Sequence, residues 1–422
     1  MQERRHPDRV IAFVMAGGSG TRLRPLTDER CKPAVPFGSR YRIVDFVLSN
    51  LVNSGLRSIY LLVQYKPQSL IEHIRRAWVV SPLIPDQFVT VVPPEMSEGA
   101  WQFKGTADAV FQSLRLIEQH RPSMVAVFGA DHVYRMDVRQ MIWHHREARA
   151  EVSVAALPVP LDEASDFGVL ETDMDGRILA FHEKPKQPKS MPDDPERAYA
   201  SMGNYLFDAE VLKEALVEAD RRGETDFGGD VLPRLIRSHR VHAYDFATND
   251  VPGIRSSEEA GYWRDVGTVD AYFAAHQDVL GDEPLFEAFN PQWPIFSSNY
   301  QGPVSKILGG EIENSLFGAA CVVHRGAKLK NCIVRRETVI FEDAELEDCV
   351  IMDYSCIGKG AKLRRVIVDR HNEIPAGAVI GYDPDQDARQ YEVTPGGVVV
   401  VPRGSDTYFA RNSRGYGLGY AE

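Results

Sequence analysis

From Val10 to about Phe246, short apolar runs alternate with longer segments whose apolar positions recur three and four apart. The short runs predict strands at Val10 to Met15, Ile59 to Gln64, Phe88 to Val92, Met124 to Ala130 and Val152 to Val159. Between them the spacing predicts helices over Asp45 to Ser54, Thr106 to Gln119 and Asp137 to Arg149. The first of these puts Phe46, Leu48, Leu51 and Val52 near one face and stops at Gly55, a natural helix end. Strands alternating with helices in this way predict an α/β fold around a mostly parallel sheet.

The pattern then changes twice. Gly168 to Asp245 reads as more antiparallel, with Val169-Leu170, a turn at Asp175-Gly176, Ile178 to Phe181 and Tyr199 to Phe207. Asp282 to Ser305 has no periodicity and reads as a linker packed on its neighbours. Beyond it, Ala327-Lys-Leu, Ala344-Glu-Leu and Ala361-Lys-Leu recur at a spacing of seventeen, each followed by an aliphatic or cysteine triplet. Val323, Ile340, Ile357 and Ile374 keep the same offset. A coil of that length with apolar residues on successive sides cannot bury its own face, so the coils must stack, and the expectation is a β-helix.

Composition narrows the functional classes. The 422 residues exceed what one core organises, so two or three domains are expected. A net charge of -12 argues against a nucleic-acid binder, which needs clustered basic surface. No apolar run approaches the roughly 18 residues of a membrane span, so no membrane role is expected. Cys31, Cys321, Cys332, Cys349 and Cys356 contain no C-x-x-C pair, which disfavours a zinc or redox site. The expectation is a cytoplasmic protein with free thiols, most of them in the repeat's core frame.

Chemistry concentrates just after the strands, where open α/β sheets bind ligands. Gly17 to Thr27 reads GGSGTRLRPLT: bare backbone amides at Gly17, Gly18, Gly20 and Thr21 can approach a phosphate, and Arg22 and Lys32 add fixed positive charge. The stretch fits neither a Walker loop nor a dinucleotide fingerprint. Asp131, in GADHVY, and Asp265, in YWRDVGT, are carboxylates suited to Mg²⁺, though each could instead cap a helix. FHEKP offers Glu183 for sugar hydroxyls and Lys184 for a sugar phosphate, against the simpler account of a solvated ion pair. GTADAV opens a helix at Gly105 and leaves room for a ribose or base, unless Thr106 merely caps it.

Together these blocks resemble the bacterial glucose-1-phosphate adenylyltransferases from about Val10 to Arg403. GGSGTRLRPLT, CKPAVPFG, RIVDFVLSN, VQYK, GTADAV, GADHVY, FHEKP, SMGNYLFD, FGGDVLP and YWRDVGT stand in that family's order. The resemblance implies a Rossmann-like nucleotidyltransferase domain over 1–281, a linker over 282–305 and a left-handed parallel β-helix over 306–403. It implies that ATP and α-D-glucose 1-phosphate give ADP-glucose and diphosphate with Mg²⁺, the regulated step of glycogen biosynthesis. By motif position, Arg22 and Lys32 would hold the ATP phosphates, Gln64 and Gly105 would approach the adenosine, and Asp131 with Asp265 would bind the metal. Gly168, Glu183, Lys184, Ser201, Tyr205 and Asp230 would form the sugar-phosphate side.

Members of that family are homotetramers under metabolite control. Arg30, Arg42, Arg370 and Arg403 are the corresponding anion-binding candidates here. Enterobacterial members, activated by fructose 1,6-bisphosphate, carry a lysine where this chain has Glu29. An acid there should repel a second phosphate, so fructose 6-phosphate and pyruvate are the expected activators, with AMP, ADP or phosphate as inhibitors. Val401 to Ser405 reads VPRGS and resembles a protease-site linker, so 404–422 is expected to be a disordered or cloning-derived tail. Three alternatives remain open: a uridylyl-, thymidylyl- or guanylyltransferase of the same fold; a noncatalytic regulatory subunit; and a β-helix acyltransferase using His371, for which a turn residue is the simpler account.

Overall fold

A computed structural model describes residues 9–79, 86–95 and 102–405. Its contacts separate two compact units that interleave in sequence. The first comprises the chain up to Gly18, Phe46–Gly253 and Pro291–Pro294; the second comprises Ser19–Asp45, Ile254–Asn290 and the chain from Ile295 onward.

The first unit is built on a nine-stranded mixed sheet. Val10–Ala16 runs parallel to Ser58–Val63 on one side and to Met124–Gly129 on the other, and Phe88–Val92 extends the parallel part. Arg197–Asp208 joins antiparallel to both Met124–Gly129 and Val152–Pro160, and Gly168–Thr172 pairs antiparallel with Ile178–Glu183. The expected strands are thus present within a residue or two. Ile11, Phe13, Val125, Val127, Phe207 and Leu212 belong to one buried cluster on which helices pack. The helix expected over Thr106 to Gln119 is broken into Thr106–Phe111 and Leu114–His120. Ser113 Oγ bonds back to Ala109 O at 3.2 Å there, a local bond that competes with the helical ladder.

The second unit is dominated by a left-handed β-helix of three parallel sheets. Leu316 pairs with Ile333, Ile333 with Val350 and Val350 with Ile367, so one coil follows another at the spacing of the repeat. Ala327, Leu329, Cys332, Ala344, Leu346, Cys349, Ala361 and Leu363 fill its interior. The corners repeat as faithfully as the core: Asn314, Asn331, Asp348 and Arg365 all take left-handed φ, as do Ala320, Glu337, Tyr354 and His371. His371 is therefore a corner residue, stacked on Tyr354 at 5.0 Å. Asn331 accepts from Asn314 at 2.7 Å and donates to Asp348 at 2.9 Å, a side-chain ladder that pins one corner.

All five cysteines are free; four are buried and Cys356 is half-buried. Val399–Val401 closes the coil stack against Val366–Val368, and the Gly404 amide bonds to Arg370 O at 3.2 Å, so the start of the VPRGS stretch is part of the fold. The rest of the expected tail, 406–422, lies outside the described residues. Among the described residues, no helix is long and apolar enough to cross a membrane.

Candidate active site

In the second unit, Gly20 of the glycine-rich segment sits at φ 62, and its carbonyl accepts from Thr27 Oγ1 at 2.8 Å. A Cβ at Gly20 would meet Thr27 at 3.0 Å and Lys32 at 3.1 Å, so both conformation and space demand glycine. The loop therefore closes on itself and leaves Arg22 exposed on the short turn Thr21–Leu23. Lys32 starts the next short turn and is buried, its Nζ 2.8 Å from Asp265 Oδ1. A Cβ at Gly267 would stand 3.1 Å from Arg22 Nη2 and 3.2 Å from each Asp265 carboxylate oxygen. Arg22, Lys32 and Asp265 thus converge around a bare glycine, and Arg22 has no ion pair among the described residues. Thr268, not Asp265, caps the following helix Val269–Gln277.

In the first unit, the strand ends gather the other candidates. Gly17 follows Val10–Ala16, and a Cβ on it would touch Gln64 at 3.8 Å; beside it Gly18 is exposed. Gln64 Oε1 accepts from the Phe103 amide, which ties it to the segment leading into Gly105. A Cβ at Gly105 would lie 2.4 Å from Thr225 O, so only glycine lets the Thr106–Phe111 helix start there. Thr106 Oγ1 donates to Asp226 at 2.8 Å and accepts from the Phe227 amide at 2.9 Å. It is a tie between segments, and no side chain caps that helix. Asp230 Oδ2 accepts from the amides of Thr225 and Asp226 at 2.9 and 3.0 Å.

Asp131 follows the Met124–Gly129 strand with its carboxylate 41% exposed, and Oδ1 is 3.5 Å from His132 Nε2. The next helix, Val138–Glu147, is capped by Asp137, so Asp131 has no capping duty. Gly168 and Glu183 are cross-strand partners, and a Cβ at Gly168 would strike the Phe181 ring at 2.5 Å and meet Glu183 Oε2 at 3.3 Å. Lys184 is exposed at φ 44, its amide bonded to Phe167 O at 3.1 Å. Lysine rarely adopts that conformation, and such strain concentrates at functional positions. Its ammonium has no ion pair among the described residues.

Ser201 and Tyr205 flank a bulge in Arg197–Asp208. Tyr205 itself is buried, 5.6 Å from the Phe227 ring, and burial pushes its phenol up, with Asp226 adding to the effect. Its ring lies within the core of the first unit.

The four candidate arginines of the second unit occupy a crowded charge cluster. Arg30 is 1% exposed, donates to both Asp369 oxygens at 2.6 and 2.5 Å and to Leu26 O at 2.8 Å, and keeps Nη1 without a hydrogen-bond partner. Arg335 Nε lies 3.1 Å and Arg336 Nε 3.3 Å from opposite oxygens of Asp353. Burial, then repulsion from Arg370, lowers Arg42 to about 9. Burial, then Arg30, lowers Arg370 to about 10. Despite its burial, Asp353 is held at about 2 by Arg335 and Arg336. Arg403 lies 3.6 Å from Glu29. The surplus of cations makes the cluster receptive to an anion.

Several of these participants escape motif reading. Gly267 works through the space it leaves, and Thr27 and Asp226 through hydrogen bonds to Gly20 O and from Thr106 Oγ1. Asp353 has a usable signal: Arg336, Asp353 and Arg370 share one frame of the repeat, a line of charge two residues after each aliphatic triplet, while Arg335 and Asp369 share the preceding frame with Met352.

A glycine-rich phosphate segment, a mixed α/β sheet and a trailing β-helix define a nucleotidyltransferase with a hexapeptide-type domain. Residues 11–281 match the nucleotidyl transferase family model, and 304–401 match the model of the GlmU-like C-terminal hexapeptide. The chain is 54% identical over 396 residues to a glucose-1-phosphate adenylyltransferase of Thermodesulfovibrio yellowstonii, covering 94% of this chain and 96% of that one. It is 48% identical to one from Thermus thermophilus and 46% to one from an Anaeromyxobacter species, each over 94% of this chain and 98% of the relative. The chain belongs to the glucose-1-phosphate adenylyltransferase family. Nucleotidyltransferases of this family generally use a divalent metal ion.

Proposed function

We propose that the protein transfers the adenylyl group of ATP to α-D-glucose 1-phosphate, giving ADP-glucose and diphosphate for glycogen synthesis in the cytoplasm. The observation that carries this reading is the convergence of Arg22, Lys32 and Asp265 around Gly267 in a member of this family. Two cations and a bare backbone suit the phosphates of ATP, with Gly17, Gly18, Gly20 and Thr21 supplying amides. Gln64 and Gly105 take the adenosine. Gly168, Glu183, Lys184 and Ser201 take the sugar phosphate, Lys184 as its anchor, with Tyr205 and Asp230 supporting from behind.

The reaction needs no covalent enzyme intermediate. An ionised phosphate oxygen of the sugar forms a bond to the α-phosphorus, the bond from that phosphorus to the bridging oxygen breaks, and diphosphate carries away the electron pair. Catalysis then consists of alignment and charge neutralisation, which matches cationic side chains with no histidine or cysteine nucleophile. Asp131 and Asp265, with carboxylates 41% and 32% exposed, offer the hard oxygen donors that Mg²⁺ prefers. When bound, Mg²⁺ would neutralise negative charge on the phosphates.

The reading extends to organisation and control. A catalytic domain over 1–281, a linker over 282–305 and a β-helix over 306–403 form each subunit of a homotetramer. Arg30, Arg42, Arg370 and Arg403 form the effector site, with fructose 6-phosphate and pyruvate as activators and AMP, ADP or phosphate as inhibitors. A panel of ATP, UTP, dTTP and GTP with glucose 1-phosphate tests the assignment. Product should form at least tenfold faster with ATP; equal or faster turnover with another nucleotide would overturn it.

A further inference from the structure

We propose that Arg335, on the β-helix, is a positioning residue for the nucleotide half of the reaction, an inference that rests on the phosphate role given above to Arg22 and Lys32. Arg335 is 4% exposed, yet it reaches out of the coil stack. Its Nη1 donates to three backbone carbonyls, Phe37 O at 3.0 Å, Gly38 O at 2.7 Å and Tyr41 O at 3.1 Å, while Nε holds Asp353 at 3.1 Å. Those carbonyls belong to the tight turn between the paired strands Pro36–Phe37 and Tyr41–Arg42. Gly38 sits there at φ 55, and its amide donates to His276 Nε2 at 3.1 Å.

The turn is only a few residues beyond Lys32, whose buried ammonium meets Asp265. On the other side of Lys32, Arg30 locks the chain to Asp369 and to Leu26 O. Lys32 is therefore strung between two buried guanidinium anchors, and Arg335 is the one that supplies charge-assisted bonds to three backbone carbonyls. Its planar fork can serve those carbonyls and a carboxylate at once; a lysine ammonium on a single stem cannot. Displacing Lys32 by about an ångström would weaken its grip on a triphosphate while leaving the Glu183-Lys184 side untouched.

The test compares wild type, Arg335→Lys and Arg335→Met by isothermal titration with ATP and by turnover with both substrates varied. For Arg335→Met the expectation is an ATP Kd and ATP KM raised at least tenfold, a lowered kcat, and a KM for glucose 1-phosphate within twofold of wild type. Arg335→Lys should recover part of the loss for ATP. If Arg335→Met does not fold, Arg335→Lys decides alone: an ATP KM raised threefold or more, with a melting midpoint close to wild type, supports the role. Equal changes in both KM values, or no change for ATP, would overturn it. A wild type that binds ATP but forms no ADP-glucose would remove the proposed function, while the ratio of ATP Kd values would still judge Arg335.

Discussion

Acid should destabilise the second unit through one histidine. His276 is fully buried on the Val269–Gln277 helix; its Nδ1 bonds to Tyr272 O at 2.8 Å and its Nε2 accepts from the Gly38 amide at 3.1 Å. A carbonyl on one side and an N–H on the other admit only the neutral ring protonated at Nδ1. Protonating Nε2 would turn that bond into a clash between two donors. Burial pushes His276 from 6.5 down to about 3, with the Tyr272 carbonyl opposing and Arg335 adding slightly.

The folded value lies below the unfolded one, so the contribution to stability is complete above 6.5 and is lost as pH falls towards 3. At pH 5 the loss should be about 2 kcal/mol, from roughly 1.4 kcal/mol for each unit below the unfolded value. His276→Gln can present an amide to Tyr272 O and an oxygen to the Gly38 amide without titrating. Denaturant melts of wild type and variant at pH 7.5 and pH 5 isolate the effect, because the other histidines cancel in the difference. Wild type should lose about 2 kcal/mol more than the variant over that interval. Equal losses would refute the argument.

Three further outcomes are expected. Asp131→Ala should lower turnover by two or more orders of magnitude with an unchanged melting curve, since the partly exposed carboxylate caps no helix; near-normal turnover would sink its assignment. Arg30→Met should lower unfolding free energy by about 3–5 kcal/mol, because it strands the Asp369 carboxylate in the interior, and a thermal melt within a degree of wild type would count against that. Removing divalent metal with a chelator should abolish ADP-glucose formation, and added Mg²⁺ should restore it; activity that survives chelation would contradict the role given to Asp131 and Asp265.

The two units differ in how far they can be read from sequence. The β-helix is nearly all local rule: the spacing of Ala327, Ala344 and Ala361 reappears as strand register, and Cys321, Cys332 and Cys349 fall in the apolar core. The strands of the sheet follow from apolar runs for the same reason. The break at Ser113 does not, because it depends on a single back-bonded hydroxyl within an otherwise helical pattern. At the site, residue types pointed to Lys32 and Asp265 separately, but their 2.8 Å pairing across more than two hundred residues is a tertiary fact. Tyr205 illustrates the reverse: a tyrosine within a site motif whose ring is buried and packs on Phe227, a contact that no motif reveals. Packing units that interleave in sequence, with Ser19–Asp45 grouped with the β-helix, have no periodic signature at all.

Adenylyl transfer itself is tested by incubating the protein with ATP, labelled glucose 1-phosphate and Mg²⁺ and measuring both products. ADP-glucose and diphosphate should form in equal amounts, with neither formed when glucose 1-phosphate is omitted. Diphosphate released without ADP-glucose, or no turnover of either substrate, would contradict it.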